Sequence, residues 1–281
     1  RILWFDNAPQ STMSRRDPVE GGFEYTDFFH FPVLLNPAIN TVLFVGLGGG
    51  TGPKVFLRDY PNVQIDVAEI DPAVVQVARD FFSVPHDPRL RITVGDGRVF
   101  LRRATRSYGA ILMDAYSSGP YGACLPYHLA TREFFELAWN RLVDGGCLIY
   151  NVIGVYGGFN DSVVRDMHAT LASVFPHVYV FQAHSSKNTV FLALKAERGA
   201  SQQLGTLRPW PGGPWLNHPL DADGFAQLAN TLLDQSVIRR PVLSERAAQF
   251  SKAAYEPLSG QILTDNYAPV DISSGRAFAP R

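Results

Sequence analysis

Only two of the 281 residues are cysteine, Cys124 and Cys147, and only three are methionine. Two distant cysteines can build neither a disulfide framework nor the paired short spacings of a zinc site, so they point to a reducing compartment and read as buried thiols. A long hydrophobic run is also missing. Nothing approaches the ~18 to 20 apolar residues that cross a bilayer, and the start Arg1-Ile2-Leu3-Trp4 is not a secretory signal. The sequence therefore reads as soluble and cytoplasmic with no membrane partner. Because it opens on Arg instead of Met, it also reads as trimmed or as a piece of something longer. Charge of one sign is lacking as well: 25 Lys and Arg face 26 Asp and Glu, a net charge of -1, which offers no general field for a polyanion and argues against nucleic acid. No HExxH or clustered His/Cys spacing occurs, so His30, His128 and His184 read as isolated polar groups and no metal is assigned. Ser117 and Ser118 lack the Gly-x-Ser-x-Gly elbow of a serine hydrolase. There is no internal repeat.

What is present is apolar material, 46% of the chain, enough for a full core without staples. From Thr41 onward, short β-branched runs alternate with amphipathic stretches, the pattern of βαβ units around a parallel sheet. Seven strands are expected: Val42–Val45, Val63–Ala68, Arg91–Val94, Ala110–Met113, Cys147–Val152, and a pair Val178–Gln182 and Thr189–Leu194 forming an antiparallel edge. Helices are expected over Pro53–Tyr60, from Asp71-Pro72, from a Thr131 cap to a stop at Asp144-Gly145-Gly146, and over Asp161–Val174. The fold class is α/β, a class I methyltransferase-like (Rossmann-like) seven-stranded sheet. Residues 1–40 fall outside the alternation. Leu3–Asp6 and Gly22–Tyr25 read there as a small β element leading into a helix, a lid or an oligomer contact. Residues 41–197 form the nucleotide-binding domain. Residues 198–281 read as a linker around Trp210-Pro211-Gly212-Gly213-Pro214-Trp215, followed by helices over Phe225–Leu233 and Glu245–Ala254.

The glycine run Gly46-Leu47-Gly48-Gly49-Gly50-Thr51-Gly52 lies between a buried strand and a helix start, where bare backbone lets a nucleotide approach main-chain N–H groups, with Gly46, Gly48 and Gly50 as candidate contacts. Thr51 stands at the sixth position, where the dinucleotide fingerprint wants Gly, which counts against NAD. Glu69 ends the second strand, where a carboxylate can accept hydrogen bonds from both ribose hydroxyls. Asp96-Gly97 ends the third, where the acid can accept from an adenine amine while the glycine keeps the wall thin. Glu69 has a lesser reading as a solvated strand-end acid, and taken alone Asp-Gly reads equally as a turn. In this order at successive strand ends, they point to an adenosyl cofactor with a sulfonium centre. Asp114 ends the fourth strand as a candidate base; as a strand-end acid it could instead cap the loop that follows.

These residues resemble the spermidine synthase family of polyamine aminopropyltransferases over most of Leu3–Leu194. Leu3-Trp4-Phe5-Asp6-Asn7-Ala8-Pro9-Gln10 looks like the family's N-terminal strand, whose glutamine touches the cofactor. Phe23-Glu24-Tyr25-Thr26-Asp27-Phe28-Phe29 looks like its tyrosine-bearing segment near the amine. The resemblance implies cofactor contacts at Gln10, Glu69, Asp96 and Gly97, a proton acceptor at Asp114, amine-side positions at Tyr25, Ser117 and His184, and a homodimer. Three positions depart from the family's pattern: Gly49 and Ser117 replace acids, and His184 stands near a tyrosine site. Asp27 and Asp265 could supply carboxylates for the amine. Leu263–Asp271 resembles the tail of bacterial spermidine synthase-like proteins, some fused to transporter-like membrane segments.

The activity so implied is aminopropyl transfer from decarboxylated S-adenosylmethionine to an amine such as putrescine. The alternatives are a methyltransferase using intact S-adenosylmethionine, for which Gly49 and Ser117 would make room for a carboxylate, and a non-catalytic adenosyl-binding homologue.

Overall fold

The computed structural model describes residues 1–5, 8–119, 122–195, 206–207, 216–217, 222–234, 240, 242–249 and 259–268. The chain begins with a hairpin of β1 (Ile2–Phe5) and β2 (Ala8–Thr12), then a 3-10 helix (Glu24–His30) running into α1 (Phe31–Leu35). Next come β3 (Thr41–Val45), α2 (Thr51–Asp59), β4 (Gln64–Glu69), α3 (Pro72–Phe81), β5 (Leu90–Val94), α4 (Gly97–Arg103) and β6 (Tyr108–Met113). A small hairpin follows, β7 (Ser117–Gly119) with β8 (Gly122–Cys124), and then a 3-10 turn at Tyr127–Leu129. After it come α5 (Arg132–Arg141), β9 (Leu142–Ile153), α6 (Asp161–Ala172), β10 (His177–Ala183) and β11 (Asn188–Leu194). A two-stranded piece, β12 (Thr206–Leu207) with β13 (Leu216–Asn217), precedes α7 (Ala222–Asp234) and α8 (Val242–Ala247).

Seven strands form one sheet in the order β10-β11-β9-β6-β3-β4-β5. The five from β9 to β5 are parallel, while β11 runs antiparallel to both β9 and β10. These are the seven expected strands, with the expected antiparallel edge. Both faces are covered, which is why the strands read as continuous apolar runs. Along β3, Val42 and Phe44 point into one core layer with Phe29, Phe56 and Ile65, and Leu43 and Val45 into the other with Met113, Phe134 and Leu148. Each fully buried side chain of this size contributes about 1.5–3 kcal/mol.

Three local expectations need correction. Gly22–Tyr25 is not β: Phe23 is extended, and Glu24–His30 then winds as a 3-10 helix that buries Tyr25, Phe28 and Phe29. That i, i+3, i+4 spacing is helical, so the expected helix begins at Glu24, inside the segment read as β. Asp96-Gly97, expected at the end of the third strand, instead starts α4, with Asp96 Oδ1 accepting from Val99 N at 2.8 Å and Arg102 and Arg103 in the last turn, as the helix dipole favours. Asp144-Gly145-Gly146 does not separate helix from strand. β9 begins already at Leu142, and the register against β6 jumps there from Tyr108↔Leu142 to Ala110↔Cys147.

In the C-terminal part, α7 spans the expected Phe225–Leu233 helix. α8 covers only the beginning of Glu245–Ala254. Residues 250–254, the stretch Trp210–Trp215 and residues 269–271 lie outside the described residues. The described tail returns to the domain: Leu263 is buried, its O accepting from Arg132 N (2.8 Å) and its N donating to Thr170 Oγ1 (2.9 Å). Cys147 is buried in β9 and Cys124 half-buried. Among the described residues no helix is long and apolar enough to cross a membrane.

Candidate functional site

The sheet register decides which strand-end residues meet. Val45 pairs with Ala68 on one side and Met113 on the other, and Glu69 pairs with Val94. Gly46, Glu69, Asp96 and Asp114 therefore leave the sheet at about the same level, along the carboxyl edge where open α/β sheets bind ligands. A cavity of about 560 Å³ opens there, and all four residues line it. Its roof comes from the N-terminal hairpin, through Phe5, Gln10 and Ser11.

At one end the wall is built around Glu69. Its side chain is buried, with Oε2 accepting from Leu47 N at 2.8 Å and Oε1 from Asp71 N at 2.9 Å. The carboxylate thus pins the glycine loop to the start of α3, and each oxygen keeps acceptor capacity toward the cavity. Ile70, left 66% exposed, and Val74 provide apolar surface beside it. Asp96 lies across from them, capping α4 through Oδ1 and meeting His128 Nε2 at 2.6 Å through Oδ2. Burial pushes the Asp96 carboxyl up, but the Val99 N–H and the His128 contact outweigh it and hold it below the ordinary carboxylate range.

Loop curvature depends on glycine at one position above all. Gly46 sits at φ +97°, and a Cβ there would run into the main-chain oxygen of Asp114, so the β3 and β6 ends can approach closely only with glycine. Gly49 N donates to Ser11 Oγ at 2.8 Å, tying the roof to the loop. A Cβ on Gly49 would lie 2.7 Å from Phe82 and 2.9 Å from Ser11, and Gly49 is not among the residues that line the cavity.

The other end is built around Asp114. Tyr25 donates its hydroxyl to Oδ2 at 3.1 Å, and Asn151 Nδ2 donates to Oδ1 at 2.9 Å. Burial pushes the Asp114 carboxyl above its ordinary value, with the two donors opposing it in part. Tyr25 is itself buried, its phenol held far above its usual range by burial and by Asp114, so it stays protonated and acts as a donor. Asn151 Oδ1 accepts in turn from Asn188 Nδ2 at 2.8 Å. Tyr116 locks the loop after β6, donating to Asn151 O (2.8 Å) and accepting from Ile153 N (2.9 Å).

Of the residues singled out by sequence, Gln10, Tyr25, Gly46, Gly48, Glu69, Asp96, Gly97, Asp114 and Ser117 line this one cavity. Gly50 does not; it is the left-handed cap of α2. His184 is exposed in the turn between β10 and β11 and stays outside the lining, where Ser186 and Asn188 of the same turn stand instead. Asp27 and Asp265 lie elsewhere as well: Asp27 pairs with Arg240 (3.2 Å) and Arg246 (3.0 Å), and Asp265 with Arg98 (2.7 Å). Sequence reasoning missed Asn151, Tyr116 and Ser11, and set His128 aside as an isolated polar group. The buried strand run Leu148–Val152 holds one polar residue, Asn151, and that interruption was the available signal.

Fold and cavity define a class I methyltransferase-like protein with the ligand edge of its sheet open. Residues 23–187, more than half of the chain, match the family model of the spermine/spermidine synthase domain, and the chain belongs to that family. It is 34% identical over 187 residues to a polyamine aminopropyltransferase of Vibrio vulnificus, a match covering 65% of this chain and 59% of that one. Matches to the curated relatives span 54 to 59% of their lengths. Among solved structures the chain is similar in fold to human methyltransferase-like protein 13 in complex with SAH (TM-score 0.61, 24% identity, 78% of this chain and 94% of that one). It is also similar to a probable spermidine synthase from Corynebacterium glutamicum (TM-score 0.57, 22% identity, 68% and 71%).

Proposed function

We propose that this chain transfers an aminopropyl group from decarboxylated S-adenosylmethionine to an amine. The observation that carries the reading is Asp114, a carboxylate clamped between Tyr25 and Asn151 in the cavity whose far end presents Glu69 and Asp96. The printed names of the relatives, polyamine aminopropyltransferase, support it.

The lining suits the cofactor. Glu69 has acceptor capacity for ribose hydroxyls, Asp96 for an adenine amine, and Gly97 keeps the wall thin, since a Cβ there would meet Val45. Bound there, the cofactor supplies a propyl carbon made electrophilic by its positively charged sulfur, with a neutral thioether as leaving group. The chain supplies alignment and a proton acceptor. An aliphatic amine has a pKa near ~10.4, so it arrives as an ammonium and must lose a proton before it attacks. Asp114 Oδ2 takes that proton, and its raised pKa makes it a stronger base than an exposed carboxylate. Tyr25 and Asn151 fix its two oxygens so that one direction remains open to the amine. Gln10 and Ser11 of the N-terminal hairpin cover the cavity above the glycine loop.

A homodimer belongs to the same reading: β1 leaves Ile2 and Trp4 each 53% exposed on a two-stranded unit that is marginal alone.

The test is to incubate the full chain with decarboxylated S-adenosylmethionine and a panel of amines and follow methylthioadenosine release. Release is expected, with Asp114→Asn about 10²- to 10⁴-fold slower while still binding methylthioadenosine. Turnover of intact S-adenosylmethionine to S-adenosylhomocysteine, without methylthioadenosine, would replace this reading with a methyltransferase. Cofactor binding without turnover would replace it with a non-catalytic homologue.

A further inference from the structure

The near-C-terminal run Leu263-Thr264-Asp265-Asn266-Tyr267 forms part of a strap laid across three helices. It crosses α6 first: Gln261 N donates to Asp166 Oδ1 (2.7 Å) and Leu263 N to Thr170 Oγ1 (2.9 Å), with the Leu263 side chain fully buried. At α5, Leu263 O accepts from Arg132 N (2.8 Å) and Asp265 N donates to Glu133 Oε2 (3.0 Å). Thr264 and Tyr267 then close on each other through paired backbone bonds of 2.8 and 2.9 Å, a tight turn with Asp265 and Asn266 at its tip.

Asp265 lands on the first turn of α4. Its two oxygens take Arg98 Nη1 and Nη2, both at 2.7 Å, a bidentate pair, and Oδ1 also accepts from Thr131 Oγ1 (2.7 Å), the N-cap of α5. Arg98 is mostly buried, and Nη1 gives its second hydrogen to His128 O (3.0 Å). The His128 ring meets Asp96 Oδ2 at 2.6 Å through Nε2. Asp96 Oδ1 accepts from Val99 N, so the plane of its carboxylate is fixed between the helix and His128. His128 belongs to the short segment that walls the adenosine end together with Pro126, Tyr127 and Leu129. Among the described residues neither Asp265 nor Arg98 lines the cavity; they stand one layer behind it. A largely buried guanidinium that loses its carboxylate has an uncompensated charge and must turn toward water, which releases the His128 carbonyl.

We propose that Asp265 is a positioning residue for base recognition: held by the strap, it orients Arg98, which fixes His128 and, through it, Asp96 against the adenine amine. This rests on the reading of Asp96 as the acceptor for that amine and is independent of which group is transferred.

The test is calorimetric titration of the full chain with methylthioadenosine and with methylthioinosine, whose base carries a carbonyl oxygen in place of the exocyclic amine and a hydrogen on the adjoining ring nitrogen. The unaltered protein should bind the adenosine compound about tenfold or more tightly, since a carbonyl oxygen facing Asp96 repels where the amine donates. Asp265→Asn, isosteric but uncharged, should cut that ratio by about threefold or more. Arg98→Lys, which keeps the charge but cannot fork between Asp265 and His128, should do the same. The double variant should lose no more than either single one, because both act through one contact. The two substitutions act from opposite sides of the pair, so misfolding of one leaves the other to decide. Variants that keep the full ratio, whatever happens to melting temperature or overall affinity, overturn the proposal and leave the strap a brace for the fold. An unaltered protein that does not distinguish the two nucleosides removes Asp96 from base recognition, and the proposal falls with it.

Discussion

Tyr25 donates its phenolic hydrogen to Asp114 Oδ2 across 3.1 Å, joining the N-terminal 3-10 helix to the end of β6, 89 positions later. Asn151 holds the other oxygen from β9. The carboxylate at the end of β6 is thus fixed by groups from two distant segments, and its protonation depends on both.

That dependence sets a pH expectation. Asp114 must be unprotonated to accept a proton, so activity is present above its pKa and lost as pH falls through it. Burial raises that pKa, and Asn151 and Tyr25 pull it back. The acid limb of kcat/KM should lie above the ordinary aspartate value of about 3.9, and Tyr25→Phe should move it to still higher pH. A limb unmoved by Tyr25→Phe would show that Asp114 is not the group titrating.

Glu69 gives a second expectation. Both of its oxygens accept from backbone N–H groups, so Glu69→Gln turns one amide hydrogen toward Leu47 N or Asp71 N and leaves that donor without an acceptor. Stability should fall by about 1–3 kcal/mol in denaturant titration. Methylthioadenosine affinity should fall about tenfold or more with the loss of a charged acceptor for the ribose. Unchanged affinity in the folded variant would remove Glu69 from the cofactor site.

A third expectation concerns acid stability. His168 is buried against Phe191 with Nδ1 bonded to the Tyr156 hydroxyl, and burial pushes its pKa down to about 4 from an unfolded value near 6.5. The unfolded chain therefore binds a proton that the folded one refuses between those values. The contribution of His168 is fully present above pH 6.5 and is lost as pH falls toward 4, to an extent of at most ~3 kcal/mol. His168→Gln should flatten thermal stability across that window; an unchanged slope would place the titration elsewhere.

Much of this was legible in the residues themselves. Apolar runs at Val42–Val45 and Ala110–Met113 and the helical spacing of Val74 and Ala78 gave the sheet and its helices, because burial on both faces leaves a compositional trace that local reading can follow. Strand ends were legible too, since Gly46, Glu69, Asp96 and Asp114 interrupt those runs with residues that have no business in a core. The start of the 3-10 helix at Glu24 and the helix begun by Asp96 were not legible because a short segment's conformation is settled by what it packs against, and seven residues carry too few periods to declare it.

Sequence alone determined the seven strands of the sheet in chain order and which polar residues stand at the carboxyl ends of β3 to β6, because alternation of apolar and polar residues is a local property. Tertiary structure decided what those residues face. It brought Asn151, and through it Asn188, to Asp114, packed Ser11 and Phe82 against Gly49, and drew Asp27 and Asp265 away onto arginines. Strand register and long-range ion pairing set such meetings, and neither leaves a mark in the spacing of neighbouring residues.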